Sequence, residues 1–302
     1  MFLKTRRESE ELRILTFLDN RMMLSDQEKN YYLNLKKGYE GELAFDQYIE
    51  ELECDCLILN DLLFKVNNTV FQIDSLLILS DCLYLFEVKN YEGDYYYESD
   101  KIINKKSKNE IVNPLNQLSR TDSLFRQLLQ SLGFNFRMEA WVTFINPEFI
   151  LYQAPLNKPI IFSPQMKRFL KNIETHSSKL TKRHKILSEK LLSLHIERSP
   201  YSQLPTYDFD SLQKGIRCTY CNSLSLFIEG RNCVCLKCGL KEKTSQAILR
   251  SVKEFKVLFP NEKITTNKIF DWCKIVPNKK RIWEVLDKNF TSVGKNRWIY
   301  YE

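Results

Sequence analysis

Three absences bound this sequence before any motif is considered. No segment of its 302 residues is long and apolar enough to span a bilayer, and the opening stretch Met1–Glu10 turns charged before an apolar run of signal-peptide length can form. A soluble, cytoplasmic protein with no membrane partner is therefore expected. Histidine is nearly missing: His176, His184 and His195 are the three in the chain. They have no metal-ligand spacing and no serine or cysteine motif beside them, which argues against a histidine-based triad and reads them as ordinary helix residues. The composition of a disordered chain is absent too, since 43% of residues are hydrophobic and 13% aromatic. The net charge of +7 is a modest lean towards polyanions. Nine cysteines fit a reducing compartment when four of them stand in metal-ligand spacing, leaving Cys54, Cys56, Cys82, Cys233 and Cys273 as free thiols.

The most informative residues lie on two neighbouring apolar runs, 70–79 and 83–90, separated by the turn residues Ser80 and Asp81. Both runs are apolar on both faces, as covered central strands should be, yet they carry Asp74, Glu87 and Lys89. Charges in such strands are costly unless they pair or hold a metal. Alternation puts Glu87 and Lys89 on one face. A two-residue loop at Ser80-Asp81 pairs Leu79 with Cys82 and, counted back, sets Asp74 opposite Glu87. Opposed Cβ atoms stand roughly 4.5–5.5 Å apart. Two carboxylates so placed call for a cation such as Mg²⁺ or Mn²⁺ between them, or else for an ion-pair network with the lysine that closes a sheet end.

Further motifs surround this pair: Gly38-x-x-Gly41-Glu42, Asn60-Asp61-Leu62, Gln72-Ile73-Asp74, Phe86-Glu87-Val88-Lys89-Asn90-Tyr91-x-Gly93 and Asn113-Pro114-Leu115-x-Gln117. In this order, over roughly residues 35–150, they resemble the nuclease-related domain (NERD), a family similar to the restriction-endonuclease-like PD-(D/E)XK nucleases. A lone E-x-K is a weak signal; five motifs in order are a specific one. The resemblance implies that Asp74 and Glu87 bind a catalytic Mg²⁺, that Lys89 orients the attacking water or stabilises charge, and that Glu42 and Gln117 complete the site. Two departures bear on substrate contacts: Ser75 stands where the family often has histidine, and the tryptophan expected after the E-x-K strand is replaced within Tyr95-Tyr96-Tyr97.

The order of elements predicts an α/β fold, a restriction-endonuclease-like core with a mixed central sheet flanked by helices. Six segments are expected: an N-terminal helical segment over 1–35, the nuclease-like domain over 36–165, a basic helical segment over 166–198, a linker over 199–214, a zinc ribbon over 215–245 and a winged-helix-like domain over 246–302. Within the second, a helix should follow Gly38, and Asn113-Pro114 should open a long helix reaching about Leu132.

Cys218-x-x-Cys221 and Cys235-x-x-Cys238 are two knuckles on either side of a short hairpin that turns at Gly230. Four thiolates suit tetrahedral Zn²⁺, and with every position taken by protein the site is structural rather than catalytic. Cys233 shares a strand face with Cys235 and competes with it, although Cys235 keeps the two-residue spacing to Cys238. Beyond the ribbon, an amphipathic run ending at Pro260, a helix capped by Thr266, another begun at Pro277 and a terminal hairpin give the order of a winged helix. Lys279, Lys280 and Arg281 at its second-last element and Lys295 and Arg297 at the wing would contact phosphates, with a solvated docking face as the other reading.

These observations together predict a Mg²⁺-dependent nuclease (Mn²⁺ substituting) with a structural Zn²⁺, acting on nucleic acid, DNA above all. A non-catalytic scaffold that keeps only the nuclease fold is the alternative.

Overall fold

A computed structural model describes residues 1–175, 179–197, 201–294 and 298–302. The chain forms two compact units, Met1–Glu8 with Asn34–Tyr201 and Ser9–Leu33 with Ser202–Glu302, and the division passes through the long helix Asp26–Glu50.

The first unit is built on a six-stranded mixed sheet. From edge to edge its strands are Phe2–Lys4, Leu57–Val66, Thr69–Ile78, Leu83–Lys89, Met138–Phe144 and Ile160–Phe162. The three central strands that run in sequence pair antiparallel, and both flanks pair parallel. Helices cover both faces, as the apolar-on-both-sides strands require. On one side Leu83 and Leu85 pack with Leu118, Phe125 and Leu128 of the helix Pro114–Ser131 and with Leu187 and Leu191 of the helix Lys182–Leu194. On the other, Tyr84, Phe86 and Val88 pack with Phe45 and Ile49 of the long helix and with Met166, Leu170 and Ile173 of the helix Met166–Thr175. Each fully buried leucine or phenylalanine here stabilises the fold by about 1.5–3 kcal/mol.

Asn113 caps the helix Pro114–Ser131 by accepting from Leu115 N–H at 3.0 Å, and Pro114 occupies its first turn, where no N–H is needed. The expected opening of this helix is thus observed. Two readings need correction. Residues 1–35 are not all helical, because Phe2–Lys4 forms an edge strand parallel to Leu57–Val66; three residues carry too short a pattern to show this, and the partner lies more than fifty positions away. The helix expected after Gly38 begins at Asp26 and runs through both glycines. Gly41 is required there by a close approach, since a Cβ on it would stand 2.4 Å from Asn90 Cβ. A four-stranded sheet of Glu110–Ile111, Lys101–Asn104, Gly93–Glu98 and Phe149–Tyr152 stands beside the main one, and its strands were not resolved in the sequence.

The second unit has a three-stranded antiparallel ribbon, Leu226–Glu229, Asn232–Cys235 and Lys241–Lys243, followed by the helices Thr244–Leu258, Thr266–Cys273 and Lys279–Asn289 and a short hairpin of Ser292–Val293 with Tyr300–Tyr301. Three helices then a hairpin is the order of a winged helix. The middle helix is capped by Thr265, not Thr266: its hydroxyl accepts from Lys268 N–H at 3.2 Å. Ile14 and Leu18 of the helix Glu10–Leu18 join Val252, Phe255, Trp272 and Leu286 in one core. Arg21 is fully buried in this unit and ion-paired to the buried Glu254 at 2.7 Å, with its guanidinium 3.9 Å from the Trp272 ring centre. Two carbonyls, Gln213 and Gly215, accept from its Nη1 and Nη2 at 2.6 and 3.0 Å.

Candidate functional site

The register of the two site strands is set by their tight loop. Leu79 N–H donates to Cys82 O at 3.1 Å, and Ser75 pairs with Phe86. One position further the ladder stops, because the Asp74 carboxylate itself accepts the Val88 N–H at 2.8 Å. Alternation from Leu83 and Leu85 then turns Glu87 and Lys89 towards the helix Pro114–Ser131. Lys89 Nζ lies 2.6 Å from Glu87 Oε1 and donates to Gln117 Oε1 at 3.1 Å.

Glu42 reaches the same neighbourhood through an arginine that the sequence did not announce. Arg6 Nη1 donates to Glu42 Oε2 at 2.7 Å, its Nη2 to the Asp74 carbonyl at 2.8 Å, and its Nε and Nη2 grip both oxygens of Asp46 at 3.1 and 3.2 Å. Asn60 Nδ2 also donates to Asp46, at 2.9 Å, and Asn60 Oδ1 accepts the Ser75 hydroxyl at 2.7 Å. Asp46 had a sequence signal, since it follows Glu42 by one helical turn. Arg6 had none, for its partners are 36 to 68 positions away.

Burial and mutual repulsion govern the charges. Burial first, then the Asp74 carboxylate, raise Glu87 to about 8 against the opposing pull of Lys89. The same two causes raise Glu42 to about 8, opposed by Arg6. Asp74 is raised by burial, opposed by Lys89 and by the Val88 N–H. Burial would lower Lys89, but Glu87 and Asp74 outweigh it and hold the ammonium above its ordinary value. Glu87 is 1% exposed, and its Oε1 has no aligned hydrogen-bond donor despite the short ion contact. A cluster short of positive charge with a lone pair unmet fits a divalent cation.

Residues 37–145 match the family model of the nuclease-related domain, NERD. This stretch is similar to the nuclease-related domain. All five predicted residues, Glu42, Asp74, Glu87, Lys89 and Gln117, lie inside the matched stretch, whereas Arg6 lies outside it. No curated protein matches the chain. Among solved structures, protein VC1899 from Vibrio cholerae is similar at 9% identity with a TM-score of 0.25, over 54% of this chain and 40% of that one, an overlap too slight to carry an argument.

In the second unit, Cys218, Cys221, Cys235 and Cys238 bring their Sγ atoms within 4.8 Å of one another, the only such group of three or more histidine, cysteine or acidic ligands among the described residues. Separations of 3.6 Å for Cys218–Cys238 and 3.5 Å for Cys221–Cys235 approach the roughly 3.8 Å edge of a tetrahedron with Zn–S bonds of about 2.3 Å. The cluster can bind zinc. Cys235 is lowered to about 7: burial raises it, but the N–H groups of Cys238 and Lys237 and the thiols of Cys221 and Cys238 outweigh that, while the same thiol contacts raise Cys238, so without a metal the cluster favours one thiolate. Cys233 stands outside the group, buried in the apolar core and pushed up to about 11 by that burial.

The cations of the C-terminal segment are less concentrated. Lys280 is exposed, while Lys279 Nζ sits 5.7 Å from the Phe270 ring centre and Arg281 Nη1 donates to Gly230 O at 3.0 Å. Lys295 and Arg297 lie outside the described residues. His184 is buried and its Nδ1 takes the Thr181 N–H at 3.1 Å, and His195 Nδ1 takes the Leu63 N–H at 3.0 Å. His176 is outside the described residues. No helix among them is long and apolar enough to cross a membrane.

Proposed function

We propose that the NERD domain is a nuclease that hydrolyses phosphodiester bonds with Mg²⁺ or Mn²⁺, DNA being the expected substrate. The observation that carries this reading is the set of buried Asp74 and Glu87 and half-buried Glu42 beside Lys89, where burial raises all three carboxyls and repulsion from Asp74 adds to it for Glu87 and Glu42. Asp74 and Glu87 would hold the ion. When bound, it supplies positive charge against the negative charge that develops on the attacked phosphate. Lys89, held between Glu87 and Gln117, is placed to donate to the attacking hydroxide and steady it. Gln117 fixes the lysine's direction and has its amide N–H₂ to offer substrate or water. Arg6 positions Glu42 and the Asp74 backbone together.

The zinc ribbon and the C-terminal helices would supply nucleic-acid contacts, and Zn²⁺ on four cysteines would be structural because no ligand position remains open. One observation favours the scaffold reading instead: the oxygens of Glu42, Asp74 and Glu87 do not meet as the four sulfurs do, and Arg6 already neutralises Glu42. Cleavage of plasmid, linear and single-stranded substrates with Mg²⁺, Mn²⁺ or EDTA separates the two. Activity that needs the metal and is lost in Asp74→Ala and Lys89→Ala supports the nuclease. Activity indifferent to these changes rejects the site, and none on any substrate favours the scaffold.

A further inference from the structure

The small sheet beside the main one has an inner and an outer face of different character. Tyr95, Ile102, Phe149 and Leu151 join the core. Alternation sends Tyr96, Ile103, Ile150 and Tyr152 to the other side, where the register sets Tyr96 directly between Ile103 and Tyr152. Tyr152 is 44% and Ile150 49% exposed, so two neighbouring rings and an apolar side chain face solvent.

Cations crowd the same surface. Lys105 Nζ lies 4.5 Å from the Tyr152 ring centre, and Lys108 Nζ lies 5.7 Å from that of Tyr96. Lys106 is exposed in the turn between them. The neighbouring acids Glu110 and Asp100 pair instead with Lys101 at 2.8 Å and Lys158 at 3.5 Å, so Lys105, Lys106 and Lys108 have no carboxylate partner among the described residues. Asp94, Glu98 and Glu110 share this face with Lys101, Lys105, Lys106 and Lys108, and the positive charge gathers at the end where Lys105, Lys106 and Lys108 stand. The sheet is also tied to the candidate site: only Asn90, Tyr91 and Glu92 separate Lys89 from the strand Gly93–Glu98, and Tyr91 packs on Tyr95 and Phe149 with ring centres 6.1 and 6.3 Å apart.

We propose that this face binds single-stranded nucleic acid, with bases stacked on Tyr96 and Tyr152 and phosphates held by Lys105, Lys106 and Lys108. The proposal rests on the nuclease reading and deepens it by naming the substrate class the domain holds. Paired bases keep their faces in the duplex stack, whereas unpaired bases can lie on an aromatic ring whatever their identity. An exposed ammonium over a ring is the weaker contact, so an arriving base displaces it, and the lysine turns to the phosphate beside that base.

The test is fluorescence anisotropy on the full chain in EDTA, with labelled oligothymidylate, oligouridylate and a duplex of equal length. Tyr152→Ala should weaken oligothymidylate binding at least fivefold, while Tyr152→Phe, which keeps the ring, stays within twofold of wild type. Replacing Lys105, Lys106 and Lys108 by alanine should flatten the slope of log affinity against log salt by about 2, each single-strand phosphate contact contributing roughly 0.7. Circular dichroism on each variant confirms that the fold is kept, and a preference between the two oligomers identifies DNA or RNA as the source of the strand. Equal loss for the duplex, displacement by polyglutamate, or a lysine effect without a tyrosine effect would overturn the proposal. Adding Mg²⁺ to the same samples separates the two ideas. Tyrosine-dependent binding without cleavage leaves this surface standing and removes the nuclease, and cleavage with tyrosine-independent binding does the reverse.

Discussion

Raising the pH of the metal-free protein is the perturbation that reads the candidate site most directly. Glu87 stands at about 8 in the folded chain against 4.5 for an ordinary glutamate, so the folded state keeps a proton that the unfolded state gives up. The sign follows from linkage. A raised carboxyl contributes stability that is present in full below about 4.5 and is lost as pH climbs through about 8. Each pH unit in that window removes about 1.4 kcal/mol for one proton, so from pH 5 to pH 8 the loss is on the order of 4 kcal/mol. Guanidinium midpoints in EDTA at pH 5, 6, 7 and 8 measure this, with hydrogen exchange of the strand Leu83–Lys89 assigning the loss to the first unit. Glu87→Gln cannot ionise and should remove its own share of the slope while Glu42, also raised to about 8, keeps its share, so the variant overtakes wild type at pH 8. Millimolar Mg²⁺ should restore wild type at pH 8 and leave the glutamine variant unmoved. Stability constant from pH 5 to 8, or an unchanged slope in Glu87→Gln, would refute the reasoning.

Two further outcomes are expected in the second unit. Glu254→Gln leaves the buried Arg21 charge without its partner and should cost about 3–5 kcal/mol by chemical denaturation, whereas Arg21→Met with Glu254→Leu together should cost less than either alone; additive losses would contradict this. Elemental analysis should find one zinc per chain, kept in Cys233→Ser and lost in Cys218→Ser, and chelation should loosen the helix Thr244–Leu258 as well as the ribbon because Cys218 and Cys235 share a core with Ile248 and Val252.

Local pattern alone placed much of this protein. The spacing of Cys218, Cys221, Cys235 and Cys238 anticipated the sulfur cluster, since two short knuckles and a hairpin leave little choice of geometry. The Ser80-Asp81 loop likewise determined the register of its two strands, because a two-residue turn admits one pairing and side chains alternate with period two. The apolar faces of both strands foretold a sheet covered by helices on both sides. What tertiary structure alone decided lies at long range. Arg6 joins Glu42, Asp46 and the Asp74 carbonyl only because the edge strand Phe2–Lys4 docks beside Leu57–Val66. Gly41 proves to be a point of contact with Asn90, Gly38 lies inside a helix rather than before one, and Tyr96 and Tyr152 become neighbours through a parallel pairing of strands over fifty residues apart. The burial that raises Glu42 and Glu87 is of the same kind, since desolvation sums over every element packed around a carboxyl and no window of sequence contains that sum.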